Sequence, residues 1–232
     1  MTTSIHIATM TTPLHIAIEH NHYDACGLLI DYGAYIDGIL LYAAAHGRTD
    51  ICRLLLEYEG IDINEEGDEG TALHYAAGGG HLDTCEFFIE QGLDVDHIDN
   101  FEHIPLHYAA GGSSQGHADV IKLLIEHGSD VDACYEDYEY NTPLLTSIKY
   151  GGYLTCEAIL KGGADPNKSD GGGCTPLAYA IHDNEDADLC KLLISYGALA
   201  DDYGSCGSYD NEDLKRYIRS IGEDDSCIYD YW

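Results

Sequence analysis

Three stretches of this 232-residue chain align over 26 residues without a gap. Thr12–Asp37 reads TPLHIAIEHNHYDACGLLIDYGAYID, Thr71–Asp96 reads TALHYAAGGGHLDTCEFFIEQGLDVD, and Thr142–Asn167 reads TPLLTSIKYGGYLTCEAILKGGADPN. Ile104–Asp132 joins them with three residues inserted, Thr175–Asp201 with one, and Gly38–Asn64 is a degenerate further copy. The starts at 12, 38, 71, 104, 142 and 175 give spacings of 26, 33, 33, 38 and 33 residues. A fixed period of this size constrains the fold more than any local pattern does. Each unit is too small to bury its own apolar face and must bury it against its neighbours.

Every position of the unit has a physical role. Threonine is a helix N-cap, and proline at the first helical position loses nothing by lacking an N–H. Four of the five prolines, Pro13, Pro105, Pro143 and Pro176, stand there. A short Ala-rich helix follows, then a Gly- or Asn-containing turn. A second helix comes next, with an apolar block such as Leu54-Leu55-Leu56 or Leu192-Leu193-Ile194. A glycine ends it in all six copies (Gly33, Gly60, Gly92, Gly128, Gly163, Gly197), the residue expected for a left-handed C-cap. Helices this short are marginal alone, so stacking has to stabilise them. The expected class is all-α, a solenoid of six helix-turn-helix units: 12–37, 38–64, 71–96, 104–132, 142–167 and 175–201.

The pattern resembles the ankyrin-repeat family. The family signature T-P-L-H-x-A stands as Thr12-Pro13-Leu14-His15-Ile16-Ala17, with variants Thr71-Ala72-Leu73-His74-Tyr75-Ala76 and Ile104-Pro105-Leu106-His107-Tyr108-Ala109. The match covers residues 12 to 201. It implies a curved stack of helix pairs joined by β-hairpin fingers, and protein–protein recognition as the role. Three departures are visible. The 26-residue step after the first copy leaves no room for a finger, so Asp37-Gly38 should be a tight turn. Residues 133–141 should make a longer finger, and Gly111–Gln115 a longer interhelical loop. Residues 1–11 form a lead-in. Residues 202–222 read as a capping loop and helix, with Leu214, Tyr217, Ile218 and Ile221 at i, i+3, i+4, i+7. The acidic, aromatic tail at 223–232 is expected to be loose.

Composition removes several function classes. The chain has 42 acidic and 10 basic residues, a formal net charge of −32, yet 45% hydrophobic residues. It can bury a core and is no disordered acidic tail. Its six lysines and four arginines are scattered, which disfavours nucleic acid and anionic membrane surfaces as partners. No run approaches the ~18 apolar residues of a membrane span, and Met1–Thr11 lacks the features of a signal peptide. Nine cysteines in such a chain read as free thiols, and a cytoplasmic setting and a monomer are expected.

No motif carries catalytic or metal chemistry. Cys26, Cys52, Cys85, Cys156 and Cys190 share one repeat position, with Ile121 in the same slot, and read as small buried apolar residues. Cys134, Cys174, Cys206 and Cys227 fall in fingers or the tail, where a reactive or regulatory thiol is conceivable. No C-x-x-C pattern is present, and no mixed Cys/His cluster points to a metal. Asp62–Gly67 imitates the start of an EF-hand loop, but Leu73 takes the place of its bidentate Glu. Gly78–Gly80 and Gly171–Gly173 are not P-loops. A non-enzyme with no cofactor is expected. By resemblance, His15, His74 and His107 tie neighbouring segments together, and Asn64 in Asp62-Ile63-Asn64 matches the context of an asparaginyl hydroxylase target.

The same resemblance places the binding surface on the concave side. Transferred position by position, it comprises Glu19, His20, His46, Lys149, Tyr150, His182 and Asp183 on first-helix ends. The fingers add Asn100, Phe101, His103, Tyr138, Glu139 and Asn141. Glycines make the third and fourth units shallow, and Phe101, Tyr135, Tyr138, Tyr140 and Tyr150 gather near the fourth and fifth, where aromatics suit a binding hot spot. The expected function is a non-catalytic scaffold holding a basic or extended protein partner. Two alternatives stay open. One is an adaptor that recruits a second partner through its C-terminal segment. The other is a salt-adapted protein whose charge serves solubility, although 22 Ile and 19 Tyr are unlike that composition.

Overall fold

The structure is a computed structural model that describes residues 12–134, 141–182 and 186–199. Helices α1 (Pro13–Glu19) and α2 (Tyr23–Asp31) form the first unit, and α3 (Ile39–Ala45) and α4 (Thr49–Leu55) the second. Strands β1 (Glu66–Gly67) and β2 (Gly70–Thr71) precede α5 (Ala72–Gly78) and α6 (Leu82–Glu90), followed by α7 (Pro105–Ala110) and α8 (Gln115–Glu126). Helix α9 (Pro143–Thr146) runs into a π-helical turn at Ser147–Gly151 before α10 (Tyr153–Lys161). The last described pair is α11 (Pro176–His182) and α12 (Ala187–Ser195). The expected lead-in, capping helix, tail and most of the 133–141 finger lie outside the described residues.

The repeat positions act as the sequence dictates. Thr12 and Thr142 cap α1 and α9 by accepting from the N–H three residues on, with proline next in line. The six closing glycines all take φ between 84° and 98°, a region that costs a Cβ-bearing residue strain. The Cys slot is fully closed: Cys26, Cys52, Cys85, Cys156, Cys190 and Ile121 are all at 0% exposure. One continuous apolar cluster runs from Leu14 to Ala198 through every unit, as a stack of mutually dependent repeats requires.

Close approach along the first-helix row follows from side-chain size. The first helices of the second to fourth units carry Ala43-Ala44-Ala45, Ala76-Ala77-Gly78 and Ala109-Ala110-Gly111. These small residues let α3, α5 and α7 approach one another more closely than α4, α6 and α8 do. The row of first helices, which the family resemblance places on the concave side, is the inner face.

The departures resolve individually. Asp37-Gly38 is the expected tight turn: Ile39 N donates to Ile36 O, and Gly38 sits at φ 70°. The insertion in the fourth unit lengthens the second helix more than the loop. Ser114 accepts from His117 N and starts α8 early, so that α8 has 12 residues where α6 has nine. Of the fingers, the one at 66–71 forms a two-stranded ladder, with Glu66 opposite Thr71 and Gly67 opposite Gly70. Those at 99–103 and 170–174 close instead on an aspartate. Asp99 accepts from Phe101 N and His103 N, and Asp170 accepts from Gly172 N and Cys174 N.

The π turn was not anticipated. Gly152 N donates to Ser147 O over five residues, and Gly152 adopts φ 125°. In the second, third and fourth units the residue matching Gly152 is Arg48, His81 or His117, and its side chain ties to the preceding repeat. Here the backbone itself closes in, at Gly151.

Candidate protein-binding face

The histidines are used mainly as cross-links between repeats. In His74, Nδ1 accepts from Thr71 N at 3.1 Å, and Nε2 donates to His103 O of the next finger at 3.3 Å. In His107, Nδ1 accepts from Ile104 N at 3.3 Å, and Nε2 donates to Asn141 O at 3.0 Å. A backbone N–H can only donate, so both imidazoles are held neutral with the proton on Nε2. Burial pushes both down to about 4. A second row joins interhelical loops to the unit before. His81 Nε2 donates to Ala45 O and His117 Nε2 to Gly78 O, each at 3.0 Å, while Arg48 donates to the Ile18 and Glu19 carbonyls.

The inner face carries a column that the site assignment passed over. The position after the signature histidine is Tyr42, Tyr75, Tyr108 and Tyr179 in four units, and each hydroxyl meets a finger or helix-end group. Tyr42 donates to Glu19 and Tyr75 accepts from Glu69 N. Tyr108 donates to Asp99 at 2.5 Å and Tyr179 to Asp170 at 2.6 Å. The recurrence of Tyr at one repeat position was the available signal.

Of the residues assigned to the face from the sequence, several stand clear. Glu19, His20 and Asn100 are exposed, and Phe101 and Tyr150 remain 44% and 47% exposed. His20 Nδ1 bonds Ile16 O at 3.0 Å, and His46 Nδ1 bonds Tyr42 O at 2.8 Å, its ring against that tyrosine. Others are engaged within the fold. His103 stacks on His107 at 5.1 Å and is half-buried, which lowers its pKa. Asn141 Oδ1 accepts from Lys149 Nζ at 2.7 Å, and that ammonium lies 4.3 Å from the Tyr179 ring centre. Tyr138, Glu139, Asp183 and the His182 side chain lie outside the described residues. Asn64 is exposed, with Nδ2 3.4 Å from Asp62 Oδ1.

Where the second, third and fourth units meet, the first helices enclose a small cleft of about 20 Å³. It is lined by Ala45, Glu69, His74, Tyr75, Gly78, Gly79 and Tyr108. Gly79 has no room for a Cβ, which would overlap the His81 ring and stand 3.0 Å from Ala45 O.

Family models for ankyrin repeats match residues 40–133, 73–170 and 113–203, and a single-repeat model matches 11–38. The chain belongs to the ankyrin-repeat family. Curated relatives share short stretches. The protein named "Probable palmitoyltransferase AKR2" of Saccharomyces uvarum is 32% identical over 76 residues, 33% of this chain and 10% of that protein. "Arf-GAP with coiled-coil, ANK repeat and PH domain-containing protein 2" of Rattus norvegicus and of Mus musculus is 33% identical over 66 residues, 28% of this chain and 9% of each. This chain thus matches about a tenth of the length of these relatives. No helix among the described residues is long and apolar enough to cross a membrane.

The thiols of this ankyrin-repeat protein divide by position. Burial raises Cys52, Cys156 and Cys190 to about 12, and raises Cys85 and Cys26 as well. Cys134 is half-buried and also raised, which argues against a reactive thiol there. Cys174 is disulfide-bonded, so the expectation of nine free thiols is corrected at that position. It sits in a partly exposed finger, not in the closed slot of a second helix, and its sulfur can meet another. Iodoacetamide at pH 8, followed by peptide mass mapping, should modify Cys52, Cys85 and Cys156 roughly 100-fold more slowly in the folded protein than in urea. Equal rates would mean that the slot is open.

Proposed function

We propose that this chain is a non-catalytic interaction module that holds a basic, extended protein segment along its inner face. The observation that carries the reading is the pair of exposed aromatics, Phe101 on a finger and Tyr150 at a first-helix end, in a chain of net charge −32. Such rings supply anchoring area at low entropic cost, and the surrounding carboxylates steer a positive partner to them. Glu19, His20 and Asn100 extend the face. His103, Asn141 and Lys149 support it from within the fold. The relatives' printed activities enter no part of this reading, because the shared stretch is a repeat segment.

The test is a pull-down comparing wild type with Phe101→Ala/Tyr150→Ala at about 50 mM and 500 mM salt, conditions that differ several-fold in screening length. The expected result is a partner lost with the double substitution and lost again at high salt. A partner retained under both would place recognition elsewhere and leave the charge as a solubility feature.

A further inference from the structure

We infer that Cys174 and Cys206 form a redox latch that fastens the chain after the sixth unit to the finger in front of that unit. Cys174 is disulfide-bonded, whereas Cys26, Cys52, Cys85, Cys134, Cys156 and Cys190 are free. The chain's remaining cysteines are Cys206 and Cys227, so the partner of Cys174 is one of these two. Hydrogen bonding at the finger base selects Cys206. Leu199 N donates to Asn167 Oδ1 at 2.8 Å, and Asn167 Nδ2 donates to Gly197 O at 3.0 Å. The same tie recurs one and two repeats earlier, where Asp165 N bonds Asp132 and Asp130 N bonds Asp96. The chain beyond Leu199 therefore sets out in step with the Cys174 finger. Cys174 lies seven residues beyond Asn167, and Cys206 seven beyond Leu199. Two arms of equal length from one hydrogen-bonded base can bring their ends within the roughly 4.4–6.8 Å between Cα atoms that a disulfide requires. Cys227 stands 28 residues beyond Leu199 and would close a longer loop at greater entropic cost.

Position makes this pair the one that small thiols can reach. Cys174 is partly exposed, while the five cysteines of the second-helix slot are at 0% exposure. With oxidised glutathione as the oxidant, the Cys174 thiolate attacks one of its sulfurs, forms a mixed disulfide and expels one glutathione thiolate. The Cys206 thiolate then attacks the Cys174 sulfur and expels the second. The two cysteines lose two electrons to the glutathione disulfide, and their protons pass through water to the two departing thiolates. Excess glutathione reverses both steps. The latch acts on the sixth unit because its finger is already tied there. Asp170 accepts from Cys174 N at 2.8 Å and from Tyr179 Oη of α11 at 2.6 Å. Closed, the latch holds finger, α11 and the following chain together; open, it should loosen α11 and α12 before the earlier units.

The test equilibrates the full chain with oxidised glutathione, blocks free thiols with iodoacetamide and maps the peptides without reduction. The expected result is a Cys174–Cys206 linked peptide pair, with Cys227 alkylated. A Cys174–Cys227 pair would overturn the choice of partner, and alkylated or glutathione-capped Cys174 would overturn the bond. Hydrogen exchange then reads what the latch does. Reduction of the wild-type chain should speed exchange in α11 and α12 roughly tenfold, the scale expected when a cross-link closing a loop of this length is released, and leave α3 and α5 unchanged. Cys206→Ser should exchange at the faster rate with or without reductant, and Cys227→Ser should behave as the wild type. Exchange in α11 and α12 that ignores reduction of the wild-type chain would overturn the latch even where the linked peptides are found.

Discussion

Acidification from pH 7 to pH 4 should lower the urea midpoint of this protein steeply, and His74 and His107 should account for much of the loss. Both imidazoles are neutral in the fold, with pKa values lowered to about 4 by burial. In the unfolded chain they take up a proton near 6.5. The unfolded state therefore binds more protons between those values. The stability these groups contribute is fully present above pH 6.5 and is lost progressively as pH falls towards 4. The gap corresponds to about 3 kcal/mol for each imidazole. His15, His81 and His103 are lowered too and act with the same sign. Glu69 and Asp132 are raised and act in the opposite sense, but only as carboxylates begin to titrate. The His107→Gln variant should be less stable at pH 7 and should show a flatter decline, because one buried titrating group is gone. A variant with the full wild-type slope would show that this imidazole is not held neutral.

Gly151→Ala should have the second large effect, at the junction of the fourth and fifth units. A Cβ at this position would overlap the Ala110 carbonyl oxygen and stand 2.5 Å from Thr155 Oγ1 and 2.9 Å from Gly112 O. Two of these obstacles are backbone and cannot rotate away. The expected cost is about 3 kcal/mol, at the upper end for overpacking. It falls where the interhelical loop of the fifth unit lacks a side-chain tie, since Gly152 stands where Arg48, His81 and His117 bond to the preceding unit in the second, third and fourth copies; His107 bridges the same two units only at the finger. In a stack where each repeat leans on its neighbours, the loss should be local in its consequences. Hydrogen exchange should accelerate across α10 and α12 while α3, α5 and α6 keep their protection. Uniform acceleration along the stack would contradict nearest-neighbour stabilisation.

The sequence disclosed what each unit settles internally. Thr-Pro starts, closing glycines and the cysteine slot depend on contacts one turn away, and a period shared by six copies makes them stand out. The π turn at Ser147–Gly151 depends on how close Gly151 comes to Ala110 in the preceding unit, which no single repeat encodes. The early start of α8 depends on Ser114 acting as a cap within an insertion that reads equally well as loop. For the candidate face, position within the repeat identified which residues lie near the inner side, but not which ones already have partners. Lys149 and Asn141 occupy face positions and bond to each other; His103 occupies one and stacks on His107.

The central claim is that a partner is recognised on the inner face. Photo-cross-linking tests it most directly, with a photoreactive residue placed singly at Phe101, at Tyr150, and at Glu86 or Glu90 on the exposed side of the second helix α6. The expected result is salt-sensitive cross-links to one basic protein from positions 101 and 150, and none from 86 or 90. Cross-links to that protein arising only from positions 86 and 90 would place the binding surface on the second helices and contradict the account.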